Sequence, residues 1–176
     1  VWATGNNDAG QIGNGTTTPV HLPTSVPLGH SVVQVAATYH NSVALQADGT
    51  VWAWGSNRYG QLGNMSIPAG NGASAIATVP VQAMMDTMGS QPLDHVQDIA
   101  TGKYFTLYLR IDGTVWMTGS MRRNNSDVAP EHHIATQIQG LNNIVAVGAG
   151  WHTGYAVTST GGVYAWGSGS SFELGN

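Results

Sequence analysis

The sequence predicts an all-β fold, a partial β-propeller of about three four-stranded blades plus the first strand of a further repeat. Three observations lead there. A block reading VWATGNNDAGQIGN at 1–14 returns as VWAWGSNRYGQLGN at 51–64 and VYAWGSGSSFELGN at 163–176, with a weaker copy, VWMTGSMRRNNSDV, at 115–128. A second block precedes each later copy: VAATYHNSVALQADGT at 35–50, IATGKYFTLYLRIDGT at 99–114 and VGAGWHTGYAVTSTGG at 147–162. The third observation is compositional: 24 glycines and 8% charged residues suit many tight turns better than long helices.

The blocks start at Val1, Val51, Val115 and Val163, so the sequence divides into units 1–50, 51–114, 115–162 and an incomplete 163–176. Within a unit, VAAT and NSVALQ are short β-capable runs, and Ala47-Asp48-Gly49-Thr50 and Ile111-Asp112-Gly113-Thr114 read as hairpin turns. VWAWG alternates sides until its glycine ends the strand. Pro19, Pro23 and Pro27 follow the first copy, which confines any strand there to an outer edge where a missing backbone donor is tolerated. Small residues at Ala36-Ala37, at Ala100 and Gly102, and at Gly148-Ala149-Gly150 recur where strands crowd toward an axis. The apolar positions of VWAWG, with Trp54 and Trp166 equivalent, then fill the space between blades. A stretch between Met65 and Gln97 is inserted.

Composition narrows the function classes. With one lysine, Lys103, and a net charge of -4, the chain lacks a broad phosphate-neutralising surface, so nucleic acid is not an expected partner. The absence of cysteine excludes disulfides, thiolate metal sites and thiol nucleophiles. No stretch reaches the roughly 20 apolar residues of a membrane span. The chain opens inside a motif, Val1-Trp2-Ala3-Thr4-Gly5, as expected of a processed or truncated protein. Its polar, lysine-poor character suggests an extracellular or cell-surface setting, with a cytoplasmic one as the alternative.

Taken together, V-x-x-(A/G)-x-x-x-H-(S/T), D-G-T-V-W-A-W-G and G-Q-L-G-N resemble the repeats of the regulator of chromosome condensation family. The resemblance covers nearly the whole chain and implies a seven-bladed β-propeller, of which this chain supplies about half. Such an arc leaves strand edges and apolar faces to be covered by further blades of the same or a neighbouring chain. Because the chain begins and ends in the same phase of the repeat, a segment of a longer chain is expected rather than a head-to-tail dimer. The founding member implies guanine-nucleotide exchange on a small GTPase, although none of its contact residues transfers to this sequence. Bacterial relatives imply a secreted protein inhibitor of an enzyme. Gly150-Trp151-His152-Thr153 is also similar to a motif of the family's plant ultraviolet photoreceptor, but the arginine of that motif is missing.

The tight connection after each small-residue strand aligns Tyr39, Lys103 and Trp151, followed by His40, Tyr104 and His152. These six residues are the candidate binding face, since aromatic side chains on a rigid scaffold offer large contact area for a protein or glycan partner. Glu131-His132-His133 contains metal-ligand chemistry but lacks further ligands, and a solvated loop is expected there, as at Arg122-Arg123. No metal and no cofactor is expected. Asp48 and Asp112 sit in D-G turns, and Gly10-x-x-Gly13 and Gly60-x-x-Gly63 open no helix, so neither supports catalysis or a phosphate cradle. Asn14, Asn64 and Asn124 match the N-glycosylation acceptor pattern. The expectation is a non-catalytic binding or structural propeller.

Overall fold

The computed structural model describes residues 1–122, 129–168 and 174–175. They form four antiparallel sheets. β1 (Trp2–Gly5) pairs with β2 (Val20–Ser25). The first complete blade runs in the order β3 (Val32–Ala37), β4 (Asn41–Gln46), β5 (Val51–Ser56) and β6 (Ile76–Gln82). The second repeats it with β7 (Val96–Thr101), β8 (Phe105–Arg110), β9 (Val115–Gly119) and β10 (His132–Gln137), and the last sheet contains β11 (Ile144–Ala149), β12 (Thr153–Thr158) and β13 (Val163–Gly167). The only helix among the described residues is a single 3₁₀ turn, Ala73–Ala75, and none is long and apolar enough to cross a membrane.

Sheet and sequence period are out of phase. Unit 51–114 supplies β5 and β6 to one blade and β7 and β8 to the next, so every complete blade is sewn from two successive units. The innermost strands β3, β7 and β11 pack side by side. They are joined by side chains at the bulge of each strand: Gln34 Nε2 donates to Asp98 Oδ1 at 2.9 Å, Gln34 Oε1 accepts from Ile99 N at 3.1 Å, and Asp98 Oδ2 accepts from Val147 N at 3.3 Å. Outer strands β2 and β6 carry Pro23 and Pro80, as an edge permits.

The glycine that ends each third strand has a steric cause. Gly55, Gly119 and Gly167 have φ of 101°, 84° and 112°, and a Cβ on each would fall on the carbonyl oxygen of His40, Tyr104 or His152. That same carbonyl accepts the amide of the next residue, Ser56, Ser120 or Ser168, at 2.8, 2.8 and 3.0 Å. The third strand of each of the three larger sheets is thereby clamped to the turn between its first two.

Blades meet through the Gly-x-x-Gly loops. Buried Asn7 and Asn57 shape them: Asn7 Oδ1 accepts from Ile12 N at 2.9 Å, Asn57 Oδ1 accepts from Leu62 N at 3.0 Å, and Asn57 Nδ2 donates to Ile67 O at 2.6 Å. The first loop then presents Gln11 O to the next blade, where Trp54 Nε1 donates to it at 2.8 Å and Ser42 Oγ at 2.9 Å. In the weaker repeat Thr118 stands where Trp54 stands, and Tyr108 stands where Ala44 stands. The pair rebuilds what tryptophan supplied. Tyr108 fills the volume, its hydroxyl donates to Thr118 Oγ1 at 2.8 Å, and Thr118 Oγ1 donates to Gln61 O at 3.0 Å.

The main core lies between the two complete blades and includes Val43, Leu45, Val51, Trp54, Leu62, Leu93, Ile99 and Tyr108. Smaller clusters built on Leu109 with Ile144, and on Phe105 with Leu107, join the second complete blade to the last sheet. Positions at the two ends of the arc lack such cover. Val35 is 58% exposed whereas its counterpart Ile99 is 4% exposed, and Val163 is exposed whereas Val51 and Val115 are fully buried.

Two expectations change. His132 and His133 lie on β10, not on a solvated loop, because the weaker repeat still completes its blade with an edge strand, His132 opposite Gly119. Arg122 is mostly buried rather than a loose surface cation: its guanidinium pairs with Glu131 at 2.7 Å and stacks 4.9 Å from the Tyr59 ring centroid.

Candidate docking cleft

The three turns that join the first two strands of each sheet are built alike. Thr38 N donates to Asn41 O, Gly102 N to Phe105 O and Gly150 N to Thr153 O, at 2.9, 2.9 and 2.8 Å, which pushes the two central residues of each turn out of the sheet. Adjacent turns are tied directly, Lys103 N donating to Trp151 O at 2.8 Å. Small residues below them, Ala37, Gly102, Ala149 and Gly150, leave a cleft of about 480 Å³ spanning three sheets. Tyr39, His40, Lys103, Tyr104 and Trp151 line it.

His152, the sixth residue of the expected face, stands beside the cleft with its ring 6.2 Å from that of Tyr104 and 6.4 Å from that of Trp151. Tyr39 and Trp151 are 76% and 72% exposed, large areas for aromatic side chains in a folded protein. Lys103 Nζ lies 4.8 Å from the Tyr104 centroid and 5.5 Å from that of Trp151. Behind Tyr104, Tyr59 packs edge-on at 4.6 Å and carries Arg58 at 5.2 Å on its own ring. The sequence pattern did not single out Tyr59, whose apparent place was a repeat turn. At the other end, His40 Nδ1 is 3.9 Å from the Asp8 carboxylate. That carboxyl is held below its ordinary pKa first by the hydrogen bond from Gln11.

The remaining candidates have structural partners. Asp48 Oδ1 accepts from Thr50 N at 2.9 Å, and Asp112 Oδ1 from Thr114 N at 3.0 Å, as turn residues. His133 Nε2 lies 3.2 Å from Glu131 Oε2, and burial followed by the charge of His133 lowers the His132 pKa. Among the described residues no three histidines or carboxylates group as metal ligands. Asn14 and Asn64 each accept a backbone amide from the residue two positions on, and Asn64 Nδ2 donates to Gln82 O at 2.7 Å, which commits both side chains to their turns. Asn124 and Arg123 lie outside the described residues.

An arc of antiparallel blades in this order is a β-propeller segment. The regulator of chromosome condensation (RCC1) repeat profile matches residues 1–45 and 48–109, and a second RCC1-repeat profile matches 32–61, 96–125 and 144–172. The chain belongs to the RCC1 repeat family.

Among its relatives, the human E3 ubiquitin-protein ligase HERC2 is 30% identical over the whole of this chain, which spans 4% of that protein. Protein pim1 of Schizosaccharomyces pombe is 30% identical over 99% of the chain, and the chain spans 35% of it. Yeast RCC1 (Prp20), solved with Kap60 bound to it, superposes with a TM-score of 0.77 at 25% identity, covering 99% of this chain and 41% of its own. Another structure of Prp20p, from Saccharomyces cerevisiae, has a TM-score of 0.71 at 24% identity over 99% of this chain and 42% of its own, and is described with binding properties to Gsp1p and histones. The chain thus spans less than half of each. These descriptions concern protein partners and lend no support to a glycan ligand or to a secreted or cell-surface role.

Proposed function

We propose that this chain is the protein-docking arc of a larger, non-catalytic propeller, working inside the cell, and that it engages its partner through the cleft of the three inner turns. The observation that carries this reading is the convergence of Tyr39, Lys103 and Trp151 from three blades on one opening, with both outer aromatics exposed. Anchors of this kind, held by a rigid sheet, supply contact area without loop ordering. An intracellular setting accords with relatives described as a ubiquitin ligase and as a binder of histones.

A more specific reading is regulation of a small GTPase by nucleotide exchange, which the family resemblance implies and the described binding of Prp20p to Gsp1p favours. Nucleotide release from candidate GTPases, measured with the intact protein and with its Tyr39→Ala/Trp151→Ala variant, tests both levels. Accelerated release that the variant loses supports exchange through this cleft. Partner binding without accelerated release, again lost in the variant, supports docking alone. Binding that the variant leaves unchanged removes the cleft from the account.

A further inference from the structure

Resting on the docking reading above and deepening it, we infer that the cleft receives a carboxylate: an Asp or Glu side chain on an acidic segment of the partner protein, seated against Lys103 between Tyr39 and Trp151. The sequence contains one lysine, and the fold places it here. Its ammonium rests over two aromatic rings, an arrangement that fixes a cation's position without neutralising it.

Two of the arginines are compensated by carboxylates. Arg110 pairs with Asp94 at 3.1 Å and with Asp112 at 3.7 Å, and Arg122 with Glu131 at 2.7 Å. Among the described residues no carboxylate pairs with Lys103, and none of the residues lining the cleft is acidic. Asp8, at the edge of this face, sits 3.9 Å from His40. In a chain of net charge -4 this makes a local cationic spot walled by aromatic surface.

The shape of the charge selects the ligand. A lysine ammonium is a compact point charge that one carboxylate can neutralise, and the cleft lining holds no arginine fork for bidentate recognition of phosphate. The aromatic walls match the methylene stem and flanking backbone of a peptide. Closing them over the pair would exclude water and strengthen it beyond the value of an exposed ion pair.

The test uses the intact protein and two fluorescein-labelled dodecapeptides of Gly, Ser and Glu, or of Gly, Ser and Gln in the same order, followed by fluorescence anisotropy. The Glu peptide is expected to bind at least tenfold more tightly than the Gln peptide. Lys103→Met should erase that preference and Lys103→Arg retain it, while Trp151→Ala should weaken both peptides. Equal affinity for the two peptides, failure of both to bind, or a preference unaffected by Lys103→Met overturns the inference. So does a labelled dT12 oligonucleotide that binds as tightly as the Glu peptide, since it would assign the cleft to polyanions in general. A protein partner lost on Trp151→Ala but indifferent to Lys103→Met would overturn the carboxylate and leave the docking face standing.

Discussion

Thr118 and Tyr108 together replace one tryptophan, and the exchange sets measurable couplings. Tyr108→Ala alone should cost about 3–5 kcal/mol through the cavity it opens, and Thr118→Trp alone about 1–3 kcal/mol through overpacking. The double variant restores the Ala44–Trp54 arrangement of the preceding blade, so urea denaturation should show a destabilisation at least about 2 kcal/mol below the sum. The same phenol reports on pH. Burial pushes the Tyr108 pKa up to about 12 against an ordinary 10.0. The unfolded chain therefore releases its proton first, and stability contributed by Tyr108 is whole below pH 10 and lost as pH rises toward 12, on the order of 2–3 kcal/mol. A denaturation midpoint followed from pH 9 to 12 should fall more steeply for the wild type than for Tyr108→Phe. At Gly119, alanine would combine a left-handed φ with a Cβ on the Tyr104 carbonyl, and roughly 2–4 kcal/mol of destabilisation is expected in the same assay.

Among the elements, the turns were the most readable part of the sequence. Asp-Gly-Thr carries its own hydrogen bonds, and the alignment of Tyr39, Lys103 and Trp151 follows from the period alone, so three positions far apart in the chain could be placed together. The proline-bearing β2 was likewise readable as an edge. The fourth strand of the weaker repeat was not, because an outer strand buries little and His132–Gln137 shows no clean alternation. The replacement of Trp54 by a Thr118–Tyr108 pair was hidden for a different reason: the compensation is divided between two strands and appears in neither segment separately. Tyr59 escaped notice because its partner Tyr104 lies in the following blade. The inner strands offer a test at this level. Asp98→Ala removes the bonds to Gln34 and Val147 at once, and hydrogen exchange should become faster in both β3 and β11 while β5 and β9 stay protected.

For the molecule as a whole, the arc has two uncovered ends, one at Val33 and Val35 and the other at Val163 and Tyr164. Residues 1–176 expressed alone should therefore self-associate, and light scattering after size exclusion should show a larger monomer fraction for Val35→Glu/Val163→Glu. An unchanged monomer fraction would mean that these faces are not adhesive. A last consequence follows from the half-step between sequence unit and sheet. Severing the backbone between Asp48 and Gly49 would leave 1–48 holding β3 and β4 and 49–176 holding β5 and β6, two pieces of one hydrogen-bonded blade. Each fragment is thus a template for the other, and mixing them should reconstitute the arc, making the turn a natural site for splitting the protein into a complementation pair.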